Sequence, residues 1–155
     1  MRRGVTFIEI LLVVAITAIL AGVTVVNLLG KRSGLELQTT TRQIVALLRE
    51  AQSNSINQAS STSWGVRFEN GTSTAPFYAL FFGAYATTTR SGYYRLPPNV
   101  RYATSSIPQG SSTNVLFSQI TGFPLATTTV VLELLGGGTV ASSVIQVSRN
   151  GSITH

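Results

Sequence analysis

One carboxylate stands where carboxylates are costly. Glu9 is the only charged residue between Val5 and Leu29. A carboxylate inside an apolar helix costs a few kcal/mol on insertion scales. In a low dielectric it protonates unless a cation or a set of donors meets it. The plainer alternative is a Glu that reaches back to the polar boundary, since it lies only a few residues inside the apolar run. The other acids are Glu36, Glu50, Glu69 and Glu133. Two lie in a helical pattern and two in strand patterns, so they do not form a paired-carboxylate site. The single His is terminal, His155, and there is no Cys. Disulfides, Cys nucleophiles and Cys-based zinc sites are thereby excluded, and no metal site or cofactor is expected. Gly136-Gly137-Gly138 lacks the Lys-Ser/Thr of a phosphate loop and reads as a turn.

The positive charge offers a second chemistry. The net charge is +6, without a run of four or five basic residues. Arg90, Arg95, Arg101 and Arg149, with Arg67, stand among Tyr93, Tyr94 and Tyr102. Such a set could hold phosphates while aromatic rings touch bases. A solvated, mildly basic surface is the plainer reading. Trp64, Phe81, Phe82, Tyr93 and Tyr94 suit a core better than a ligand site.

These residues must be positioned by elements of two kinds. Val5 to Val26 has no Pro and is long enough for a helix that crosses a bilayer. A cleaved secretory signal would be shorter and would end in small residues, whereas an ordinary single-pass anchor leaves Gly4 and Glu9 unexplained. Arg2 and Arg3 before the run nearly balance Lys31 and Arg32 after it, so charge does not fix orientation. Gly30 to Gly34 is a place for the helix to loosen. Leu37, Ile44, Leu48, Ala51 and Ile56 then recur at three-to-four spacing, widened by Val45 and Leu47, and predict an amphipathic helix laid on a sheet. Beyond it the chain reads as β. Trp64, Val66 and Phe68 alternate before Asn70-Gly71, which reads as a tight hairpin turn, and Asn150-Gly151 reads as another.

Arg2-Arg3-Gly4-Val5-Thr6-Phe7-Ile8-Glu9 resembles the processing motif of type IV prepilins and type II secretion pseudopilins. Leader charge, Gly, Glu and apolar run all fall at the family's spacing. Val5 departs from the commoner Phe or Met. Arg42 to Asn57, Val115 to Pro124 and Val144 to Ile153 are similar to stretches of the H-type minor pseudopilins and related minor type IV pilins. The resemblance implies a cut between Gly4 and Val5 by a prepilin peptidase and methylation of the Val5 amine. It also implies that Glu9, fifth in the mature chain, guides assembly. The new amine would lie one helical turn from Glu9 of its own chain, or within reach of a neighbour's Glu9.

The combined expectation is an α+β chain of pilin fold. It has a leader at 1–4, a membrane-spanning and filament-core helix at 5–29, and an amphipathic helix at 30–57. That helix packs on a C-terminal antiparallel sheet domain at 58–155. The resemblance implies a non-enzymatic subunit of a type IV pilus or type II secretion pseudopilus. It places the chain in the bacterial inner membrane with its N-terminus cytoplasmic, and then in the filament with other pilin or pseudopilin subunits. A DNA-uptake pilin binding DNA through Arg90, Arg95, Arg101 and Arg149 is the alternative, and a membrane-anchored enzyme is a remote one.

Overall fold

A computed structural model describes residues 6–135 and 141–155, and leaves the side chains of residues 22–33 undescribed. The chain divides into two compact units, Met1–Ser33 and Gly34–His155. One helix, α1, runs Phe7–Ile56. Thr6 opens it, its carbonyl accepting from the amides of Glu9 and Ile10 at 3.1 and 3.3 Å. Thr17 returns its hydroxyl to the Val13 carbonyl at 2.7 Å, which spares a polar group on an otherwise apolar surface. The helix is unbroken through Gly30 and Gly34, and the boundary between the two units falls within that stretch.

The membrane-spanning first half is corrected. Among the described residues no helix is long and apolar enough to cross a membrane. The apolar side chains described in unit 1 end at Ala21. From Phe7 that stretch rises only about 22 Å, against roughly 30 Å of hydrocarbon. The rest of the expected span falls on residues 22–33, outside the described side chains. The inner-membrane location requires that span and is withdrawn with it.

In unit 2 the helical residues 34–56 bury Leu37, Thr41, Ile44, Leu48, Ala51 and Ser55, a seam repeating every three to four residues. Ile56, expected on the same face, is instead 46% exposed. Thr41 satisfies its buried hydroxyl on the Leu37 carbonyl at 2.8 Å. Ser55 is fully buried and its Oγ accepts from the Trp64 amide at 2.8 Å, fixing the chain's return after the helix.

The single sheet of the pilin-fold expectation is also corrected. There are two four-stranded sheets, both antiparallel. The first holds β1 (Trp64–Asn70), β2 (Phe77–Phe82), β3 (Arg90–Arg95) and β5 (Ser111–Phe117), ordered β3-β2-β1-β5. The second holds β4 (Val100–Tyr102), β6 (Thr128–Leu134), β7 (Ser142–Val147) and β8 (Ile153–Thr154), ordered β4-β6-β7-β8. Two 3-10 turns, Ala59–Ser61 and Thr87–Thr89, are the only other helical pieces among the described residues. The division has a local cause. Pro97-Pro98 cannot donate to a ladder, so β3 ends. The chain then re-enters as β4 opposite β6, Val100 facing Leu134 and Tyr102 facing Leu132.

The sheets meet in one core. Tyr102 of β4 donates its hydroxyl to the Phe77 carbonyl of β2 at 2.9 Å. Its ring meets Phe68 edge-on at 6.2 Å. Ile44, Leu48, Phe68, Phe117, Leu132 and Ile145 are at the centre, each fully buried. Asn70-Gly71 is not a tight turn, because β2 begins only at Phe77. Asn70 is buried, donates to the Ile107 carbonyl at 2.9 Å, and accepts from the Gly110 amide at 2.6 Å.

Candidate assembly surface

The described half of unit 1 exposes nearly everything apolar that it carries. Phe7 is 81% exposed, Ile8 and Ile19 are 68%, and Ile10, Leu11, Leu12, Val13, Val14, Ile16 and Leu20 all lie at half or more. Successive residues point about 100° apart on a helix, so this surface is apolar all round rather than on one face. Glu9 interrupts it, standing beside Ile10, Val13 and Val14 around a shallow recess. Its carboxylate has no hydrogen bond or ion pair among the described residues. Gly4 and Val5, the expected cleavage and methylation residues, lie outside the described residues, as does any pairing of Glu9 with the Val5 amine.

The arginines grouped from the sequence are not one site. Arg90 and Arg95 share an open recess on the edge strand β3 with Thr87, Ser91, Gly92 and Tyr93. The Arg90 guanidinium sits 5.2 Å from the Tyr93 ring centre. Arg101 belongs to the other sheet and is paired with Glu133 at 3.3 Å. Arg149 lies in the turn between β7 and β8. Arg67 is tied to Glu69 at 2.8 Å and lies over the Tyr85 ring. Tyr102 is unavailable to a base, being 1% exposed. Burial pushes its hydroxyl well above the usual tyrosine pKa, with Tyr78 adding a smaller upward push. Burial likewise raises Tyr78, followed by Tyr94, which stacks on it at 5.4 Å.

A second group escaped the sequence reading. Gln52 Nε2 donates to the carbonyls of both Gly122 and Gly151, each at 3.0 Å. Three distant stretches are thereby tied at the end of α1. The signal was present in Ile120, Phe123 and Leu125, three large apolar residues in a short loop.

No protein-family model, curated protein or solved structure matches the chain. The likeness to pilins therefore rests on the residues quoted from the sequence.

Proposed function

We propose that this chain is a structural subunit, a minor pilin or pseudopilin, cut between Gly4 and Val5 by a prepilin peptidase and assembled through the unit 1 helix with other subunits of its kind. The observation that carries the reading is the apolar surface of residues 7–20, exposed on every side and carrying a single charge, Glu9. Such a surface is costly in water. Covering these side chains would gain on the order of 10 kcal/mol. Neighbouring helices of the same character supply that cover, and a filament core repeats it. Glu9 then needs a cation inside an apolar setting, and the amine released at Val5 provides one. The subunit works by polymerising rather than by catalysis. A DNA-uptake role draws less support, because of its four arginines only Arg90 and Arg95 lie together.

The test is mass spectrometry of the protein recovered from its own cells. It should lack Met1 to Gly4 and carry one added methyl at Val5. Gly4→Val should leave the leader on, since a branched side chain crowds the bond to be cut. An intact leader on the wild-type chain, in cells with an active peptidase, would count against the reading.

A further inference from the structure

The end of unit 2 carries an apolar patch that the assembly surface does not explain. Ile56, Ile120 and Phe123 are 46, 67 and 51% exposed. They come from the last turn of α1 and the β5–β6 loop. The Ile120 amide donates to the Ser55 carbonyl at 3.1 Å. A Cβ on Gly122 would come within 2.6 Å of Ile56 Cγ1, and one on Gly151 within 3.3 Å of Phe123 Cδ1. Gln52 clamps the β5–β6 and β7–β8 loops to the helix through its two 3.0 Å bonds.

Ile120 adds a second, independent observation. Its φ is +68°, left-handed backbone. For a β-branched residue that is a true outlier, persisting only where the surroundings impose it, and such outliers gather at functional surfaces. A glycine would take the conformation without strain. The Ile side chain offers the fold little in return, since most of it faces solvent.

Charge selects the occupant. Arg49 precedes Gln52 by one turn on the same helix face, and Arg149 stands in the β7–β8 turn beside Gly151. Neither is ion-paired among the described residues. A second copy is a poor match. Its net charge is also +6. Three of its five acids are engaged within the chain, Glu36 with Asn99, Glu69 with Arg67 and Glu133 with Arg101, and Glu9 lies in the other unit. That leaves Glu50, beside Arg49 itself, as the one acid of unit 2 without an ion pair or hydrogen bond among the described residues. We infer that this end of unit 2 docks a different protein, through an apolar segment bordered by carboxylates. Ile120 and Phe123 are the apolar anchors and Arg49 and Arg149 the flanking cations. The inference stands independently of whether the chain polymerises.

The experiment uses the full chain in the cells that make it, with a photoreactive benzophenone side chain in place of Phe123. Irradiation should join it to one other protein, through a peptide holding apolar residues next to Asp or Glu. Reversing both cations, Arg49→Glu with Arg149→Glu, should lower the yield by about tenfold. Changing the partner's contacting carboxylates to Lys should restore it. Ile120→Gly relieves the strained backbone, so it should keep or raise the melting temperature while lowering the yield several-fold. Four results would overturn the inference: yield indifferent to the charge reversals, yield indifferent to Ile120→Gly, capture only of a second copy or nucleic acid, or no capture at all.

Discussion

Gly122→Ala should destabilise unit 2 for two separable reasons. Gly122 has φ +64°, and its added Cβ would lie 2.6 and 2.7 Å from Ile56 Cγ1 and Cδ1 and 3.2 Å from Gln52 Cγ. The left-handed backbone costs a non-glycine residue about 1 kcal/mol or more. Forcing a methyl into an occupied space costs about 1–3 kcal/mol further. Gly110 separates the two. Its φ is +82°, but its Cβ would meet only Thr72 Cγ2, at an ordinary 3.4 Å. Gly110→Ala should therefore cost about 1 kcal/mol and Gly122→Ala about 2–4. For a unit of this size each kcal/mol lowers the melting temperature by about 4 °C. The expected losses are about 4 °C and about 8–16 °C. Trp64 is the only tryptophan and is 7% exposed, so its fluorescence reports the unfolding of the full chain in mild detergent. Ile56→Ala in the Gly122→Ala background should recover most of the difference, because it removes the atoms that clash. Equal melting of the two alanine variants, or no recovery with Ile56→Ala, would refute the reasoning.

Ser55→Ala should cost about 1–3 kcal/mol in the same assay, because it strands the buried Trp64 amide that now meets Ser55 Oγ at 2.8 Å. Tyr102 titrates at a raised pKa because burial disfavours its phenolate, and Tyr78 shifts the same way. A raised folded pKa gives stability that is complete below the unfolded value near 10 and is lost as pH climbs through the folded one. Wild type should thus lose melting temperature above about pH 10 more steeply than Tyr102→Phe does; parallel curves would contradict the assignment.

How much of this was legible in the sequence depends on the range of each interaction. The spacing of Leu37, Ile44, Leu48 and Ala51 marked the buried seam because helical periodicity is local. The alternation of Trp64, Val66 and Phe68 marked a strand for the same reason. Asn150-Gly151 marked a turn because Gly151 takes φ +83°. Asn70-Gly71 misled. Asn70 serves there as a buried tie to Ile107 and Gly110, partners some forty residues away whose proximity no local pattern encodes. The split into two sheets is non-local too, since β4 takes β6 as its neighbour across a long stretch of chain. The arginines failed as a group because residue type says nothing of which one meets a Glu; Arg101 does and Arg90 does not. Glu9 was legible as an anomaly within an apolar run, and it remains one within the exposed apolar surface of residues 7–20.

The most direct test of the central claim is the amount of this protein in sheared filaments relative to cells, for wild type, Glu9→Ala and Glu9→Gln. Both variants leave the Gly4–Val5 bond untouched, so the leader should still be removed. Without the carboxylate, the Val5 amine enters an apolar filament core unpaired. Filament content should then fall at least tenfold, with Gln behaving like Ala because the lost partner is a charge. Wild-type filament content in the Glu9→Ala variant would contradict the account.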